Sequence, residues 1–113
     1  NSSLVTEVFH GNNSLLFTGD IEKERIADIK NELNDAGYDF LKVPHHGKYE
    51  KILPEFFSLV GAQSAVITSS EKNPEDQETV QALVDAGTMN YMLTRNGEIT
   101  LESDGRELNF TQK

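Results

Sequence analysis

The chain has 113 residues, of which 36% are hydrophobic and 26% charged, and it contains no cysteine. This composition is typical of one globular domain or part of one, and it excludes disulfides and thiolate metal sites. No apolar run is long enough to span a bilayer, so we expect no membrane contact by this segment. The formal net charge of −9 argues against nonspecific nucleic-acid binding, which needs Lys and Arg to neutralise phosphates. It does not exclude a phosphodiesterase whose metal ions supply the positive charge.

The first third of the chain predicts a hairpin, a helix and a third strand. The two strands of the hairpin are predicted at residues 4–9 and 14–18, with Gly and Asn residues in the turn between them. A helix is predicted over residues 21–36, and a buried strand over residues 38–43. The helix is indicated by apolar residues at helical spacing, which are Ile26, Ile29 and Leu33.

The remainder of the chain alternates helices and strands and then ends in strands alone. A helix over residues 53–60 is indicated by Pro54 in its first turn and Gly61 just past its end. A strand at residues 64–68 precedes a third helix, which we expect Asn73 to cap and Pro74 to begin. The buried face of this helix is expected to carry Val80, Leu83 and Val84.

Asn96 and Gly97 form the strongest short-range turn signal in the sequence. They predict a hairpin of the strands at residues 89–94 and 98–102, followed by a last strand at residues 107–111. The whole order is β-β-α-β-α-β-α-β-β-β. It predicts an α/β fold with a mixed sheet and flanking helices, because strands that alternate with helices form parallel βαβ units.

Candidate ligands follow two strands of this predicted sheet. Asp20 comes just after the strand at residues 14–18, and His45 and His46 follow the strand at residues 38–43. Sites in open α/β sheets form at the carboxyl ends of the strands, so these side chains are expected at one edge. An Asp with one or two His residues suits zinc, and equally manganese or iron, but does not complete a site.

Simpler interpretations apply to the same residues taken singly. Asp20 precedes a predicted helix, and Asp is among the best N-cap residues. His45 and His46 can be loop histidines, one packed and one solvated. Ser69 and Ser70 lack an evident base partner, which argues against a nucleophilic serine.

The two motifs taken together resemble a known family. The segment LLFTGDIE at residues 15–22 resembles the strand-to-loop aspartate motif of the metallo-β-lactamase superfamily, and LKVPHHG at residues 41–47 resembles its final histidine motif. The resemblance is greatest to the branch that contains ComEC-type DNA-uptake proteins and stand-alone hydrolases. It begins at residues 1–5, which resemble the opening of the second half of that domain, and continues to about residue 100.

The resemblance implies a role for each matching residue. Asp20 would bridge two divalent metal ions, zinc above all and otherwise manganese or iron, and His46 would be the last metal ligand. His45 would act as the catalytic residue that contacts a substrate phosphate or carboxylate, although His45 and His46 could exchange these roles. In such enzymes a metal-bound hydroxide attacks a phosphodiester or related ester, either a small molecule or a nucleic acid.

The His-x-His-x-Asp-His motif of the superfamily is absent from residues 1–113. The resemblance therefore implies that the chain is the C-terminal half of a metallo-β-lactamase-fold domain, whose partner is the missing N-terminal half. We expect the half alone to be inactive, and to order incompletely or self-associate through the face that the other half would cover. The alternative is a non-catalytic acidic α/β domain that binds another protein.

Overall fold

The computed structural model describes residues 5–18, 37–72 and 74–113, apart from the side chains of Val5 and His45. The helix predicted over residues 21–36 and the predicted cap Asn73 lie outside the described residues. The described strands and α-helices are β1 Val5–His10, β2 Asn13–Thr18, β3 Phe40–Lys42, α1 Leu53–Val60, β4 Ser64–Ile67, α2 Gln77–Asp85, β5 Asn90–Leu93, β6 Ile99–Ser103 and β7 Leu108–Gln112. No described helix is both long and apolar enough to cross a bilayer.

The main sheet has five strands in the order β1-β2-β3-β4-β5. β1 pairs with β2 in antiparallel fashion, whereas β2, β3, β4 and β5 run parallel to their neighbours. β6 and β7 form a separate antiparallel hairpin. The predicted α/β class with a mixed sheet is thus confirmed.

The two faces of the sheet are buried by different elements. α1 and α2 cover one face, where Leu16, Leu41 and Ile67 from the sheet pack with Phe56 and Leu83 from the helices, all at most 1% exposed. The hairpin β6–β7 covers the other face, over Leu15, Phe40 and Val66. The ring of Phe40 lies 5.8 Å from that of Phe110 on β7.

The β6–β7 hairpin buries a face of the sheet that was expected to be apolar and uncovered. Leu15, Phe40 and Val66 are only 5%, 4% and 7% exposed, because the hairpin of this same chain lies over them. Among the described residues, the large apolar side chains that stay exposed are Val8, Phe9, Leu59, Val84, Met89 and Tyr91. Self-association stays a prediction.

The predicted hairpin around Asn96 and Gly97 is wrong. β5 pairs with β4 inside the main sheet and β6 pairs with β7, so the two predicted partners belong to different sheets. Between them lies a short 3₁₀ helix, Thr94–Asn96. A type I′ turn needs positive φ at both central residues, but His46 is the one non-glycine residue with positive φ in the described part of the chain.

The start of the third predicted helix is also wrong. α2 begins at Gln77 rather than at Pro74, and Asp76 occupies the N-cap position. The helix therefore buries Thr79, Ala82 and Leu83, whereas Val84, expected on the buried face, is 50% exposed.

Candidate functional site

The carboxyl ends of β2, β3 and β4 lie side by side, as the sequence predicted. β3 is hydrogen-bonded between β2 and β4, and both neighbours run parallel to it. Thr18 ends β2, Lys42 ends β3 and Ile67 ends β4. The segments that follow Lys42 and Ile67 therefore leave the sheet at the edge where β2 also ends, and α/β folds place their sites at such an edge.

Thr18 and Lys42 tie the ends of β2 and β3 together. The ammonium of Lys42 donates to the main-chain oxygen of Thr18 at 2.8 Å, and the buried hydroxyl of Thr18 donates to the main-chain oxygen of Lys42. This reciprocal pair fixes the last residues of β2. Asp20 comes two residues later and lies outside the described residues.

The predicted histidine motif forms a 3₁₀ helix, Pro44–Gly47, directly after β3. His46 within it is exposed and has a φ of 54°. A non-glycine residue in this left-handed region is uncommon and costs about 1–3 kcal/mol, and such residues cluster at functional sites. The main chain of His45 belongs to the same turn, but its side chain lies outside the described residues.

Thr68 orients the ring of His46. The Nδ1 atom of His46 lies 2.8 Å from the main-chain oxygen of Thr68 and 3.1 Å from its hydroxyl oxygen. A carbonyl oxygen only accepts hydrogen bonds, so Nδ1 must carry a proton. In the neutral ring the lone pair is then on Nε2, which is the arrangement that protein carbonyls impose on metal-ligating histidines.

Gly47 allows the histidine turn to pack tightly against its neighbours. Its φ is 84°, and a Cβ atom there would lie 2.6 Å from the Cγ2 atom of Ile67 and 2.8 Å from the Cβ atom of Glu75. Both distances are too short for any side chain larger than hydrogen, so the glycine is required by packing as well as by conformation.

Glu75, which packs against Gly47 of the turn, forms an ion pair with Arg95. The side chain of Glu75 is 2% exposed and that of Arg95 is 37% exposed. Nη2 of Arg95 donates to one carboxylate oxygen of Glu75 at 3.1 Å, and Nε of Arg95 lies 3.0 Å from the other. This ion pair, with its one charge-assisted hydrogen bond, holds the buried carboxylate in place.

The structure therefore brings together only part of the predicted site. His46 is placed at the expected edge, whereas Asp20 and the side chain of His45 are outside the described residues. No group of three or more potential ligands of the types His, Cys, Asp and Glu occurs within residues 5–18, 37–72 and 74–113. The metal ligand set stays a prediction.

Sequence reasoning missed the residues that support His46. Thr68 could have been found, since it ends the predicted strand at residues 64–68 and the edge rule applies equally to it. Glu75 and Arg95 gave no comparable signal, because their pairing joins segments that are 20 residues apart in the chain.

A depression of about 390 Å³ lies at the opposite, amino end of the parallel strands. Turn residues and Asp39 line it, and the carboxylate of Asp39 accepts a hydrogen bond from the main-chain N–H of Ser14 at 2.9 Å. This depression is polar and partly open to solvent, unlike the enclosed and mostly apolar pockets that bind small ligands, so the histidine turn remains the better candidate site.

The chain is similar to ComE operon protein 3 of Bacillus subtilis (strain 168). The two are 36% identical over 73 residues, which make up 65% of this chain and 9% of that protein. The chain thus matches a small part of the relative's length. No family model and no solved structure matches. The similarity indicates a relationship to a ComE operon protein, whereas the resemblance to the metallo-β-lactamase superfamily and its ComEC-type branch stays a prediction.

Proposed function

We propose that this chain contributes Asp20 and His46 to the metal centre of a hydrolase that cleaves a phosphodiester or a related ester. The proposal is based on the turn after β3. There His46 has a left-handed backbone conformation, and its Nδ1 atom donates a hydrogen bond to the main-chain oxygen of Thr68. This bond leaves Nε2 as the coordinating atom of the neutral ring.

The chemistry of the donors fits a divalent metal ion. Imidazole nitrogen and carboxylate oxygen suit zinc, and they also suit manganese and iron. Two such ions would polarise the ester bond and lower the pKa of water, which is the chemistry that the site requires. The other ligands would come from a part of the protein upstream of residue 1.

The remaining roles belong to residues of the turn and the strand ends. His46 would bind the metal through Nε2, and Thr68 would keep its ring in place. His45, next to it, would contact the phosphate or carboxylate group of the substrate. The Lys42–Thr18 pair would hold the end of β2 against β3 and so keep Asp20 at the same edge.

The test compares two histidine variants of the full-length protein that contains this chain. His46→Asn keeps a residue that tolerates positive φ and whose amide can replace the Nδ1 donor, but it removes the coordinating nitrogen. His10→Asn is the matched control, because His10 is exposed and its Nδ1 contacts Ser103 at 2.7 Å on the β6–β7 hairpin.

Hydrolysis of bis(p-nitrophenyl) phosphate is measured after chelation and after addition of zinc or manganese. We expect metal-dependent hydrolysis in the wild type and in His10→Asn, and a loss of at least about 100-fold in His46→Asn. Equal activity in all three proteins, or activity that survives chelation, would contradict the proposal.

A further inference from the structure

We propose that Asp76 is a positioning residue, which holds the Pro44–Gly47 turn in the conformation that lets His46 bind metal. This inference rests on the proposed function. Asp76 precedes α2 and lies 30 positions after His46 in the chain. Its two polar contacts with the segment just beyond His46 carry the inference.

Asp76 bonds to both ends of the segment from Gly47 to Tyr49. Its main-chain N–H donates to the main-chain oxygen of Gly47 at 3.1 Å. Its carboxylate oxygen Oδ2 accepts from the main-chain N–H of Tyr49 at 2.7 Å. One residue thus satisfies an acceptor and a donor of the loop that leaves the histidine turn.

The carboxylate of Asp76 is not used as a helix cap. Asp76 has the extended conformation of an N-cap residue, with φ −79° and ψ 139°, but its side chain makes no capping hydrogen bond to α2. An aspartate in this position ordinarily accepts from an N–H of the first helical turn. Here the side chain accepts from Tyr49 instead, so its contribution lies in the loop.

The turn needs such a restraint because it contains two successive left-handed residues. His46 has a φ of 54° and Gly47 a φ of 84°. A non-glycine residue keeps this conformation only where its surroundings determine it. Packing of Gly47 against Ile67 and Glu75 closes one side of the turn, and the bonds of Asp76 fix the chain that follows it.

Two substitutions separate this role from helix capping. Asp76→Ser supplies a strong N-cap for α2 but is too short to reach the Tyr49 amide. Asp76→Asn keeps a side chain of the same length with an oxygen that can accept the hydrogen bond from Tyr49. Asp85→Ser is the control, since Asp85 lies at the other end of α2 and accepts from Gln81.

Zinc affinity of the full-length protein and thermal melting are measured for each variant. We expect Asp76→Ser to melt near the wild type and to bind zinc at least about 10-fold more weakly, as for other residues that orient metal ligands. Asp76→Asn and Asp85→Ser are expected to stay within about 3-fold of the wild type, since loop contact and ligand geometry are kept.

Two further readouts do not depend on metal. Nitrogen NMR should show the Nδ1-protonated form of His46 in the wild type and a mixture of tautomers in Asp76→Ser. The Tyr49 amide of the wild type should exchange slowly with solvent, and fast exchange would overturn the role of Asp76.

Unchanged zinc affinity and unchanged His46 signals in Asp76→Ser would also overturn that role, and would leave the proposed function standing. No zinc binding by the wild type would instead overturn the proposed function, and the metal role of Asp76 with it.

Discussion

The Nδ1 atom of His46 lies 2.8 Å from the main-chain oxygen of Thr68. This contact joins the turn after β3 to the residue that follows β4, and so connects two neighbouring strand ends at the edge of the sheet. Because the partner is a main-chain atom, no substitution of the Thr68 side chain removes it. The orientation of the His46 ring therefore depends on where the Pro44–Gly47 turn is held relative to the end of β4.

Gly47→Ala should destabilise the protein much more than Gly87→Ala. Both glycines have positive φ, 84° and 95°, so both substitutions incur a conformational cost of about 1 kcal/mol. A Cβ atom at residue 47 would also collide with Ile67 and Glu75, whereas nothing lies within 4 Å of a Cβ at residue 87. Overpacking adds about 1–3 kcal/mol. Urea unfolding measures the free energy of unfolding of the two variants. An equal decrease in both would contradict the tight packing of the turn.

Arg95→Met should lower the free energy of unfolding by about 2–4 kcal/mol, because it leaves the Glu75 carboxylate buried without its partner. The loss is expected toward the low end, since the Arg95 side chain is 37% exposed. The double variant Glu75→Gln with Arg95→Met removes the charge as well and should recover part of the loss. Chemical denaturation measures the free energy of unfolding of the wild type, of Arg95→Met and of the double variant. A loss below about 0.5 kcal/mol in Arg95→Met would mean that the pair does not support the turn.

Asp104 should make the stability of the β6–β7 hairpin depend on pH. Main-chain N–H groups of Glu107 and Arg106 donate to its carboxylate, each at 2.8 Å, and these bonds lower the pKa of Asp104 from its ordinary value of 3.8. A carboxyl whose pKa is lower in the folded than in the unfolded chain stabilises the fold above the unfolded pKa. That contribution is lost as the pH falls through the folded pKa.

The corresponding variant is Asp104→Ala, with Glu102→Ala on the exposed side of β6 as the control for removing one negative charge. Asp104→Ala should melt below the wild type at about pH 7, and the difference should shrink as the pH falls through the lowered pKa of the folded carboxyl, where the wild-type Asp104 becomes protonated. A difference that stays constant over this pH range would show that the charge of Asp104 is not involved.

Local signals in the sequence were sufficient to predict an element whose own residues mark its start and its end. The helix predicted over residues 53–60 is observed as Leu53–Val60, with proline in its first turn and Gly61 in the left-handed conformation at its end. The edge that holds the candidate site was also predicted, because parallel strands place their carboxyl ends together whatever their exact bounds.

Long-range contacts decided the elements that were predicted wrongly. Asn96 and Gly97 are residues typical of a hairpin turn, yet β5 pairs with β4 in the main sheet and a 3₁₀ helix follows it. The hydroxyl of Thr94 then bonds to the main-chain oxygen of Ser69 at 2.7 Å and fixes the chain as it leaves the sheet. Asp76 is of a residue type that favours the N-cap of a helix. The bond that its carboxylate accepts from Tyr49 joins distant parts of the chain, so it cannot be inferred from neighbouring residues.

The most direct test of the account is the metal content and zinc titration of the full-length protein, with and without Asp20→Ala. We predict about two ions per chain in the wild type, and the loss of one or both on substitution, because Asp20 is proposed as a ligand at the edge that holds His46. A wild type that binds no metal, with Asp20→Ala only lowering the melting temperature, would contradict the account. Asp20 would then be a helix cap, and the protein would be better described as an acidic binding domain.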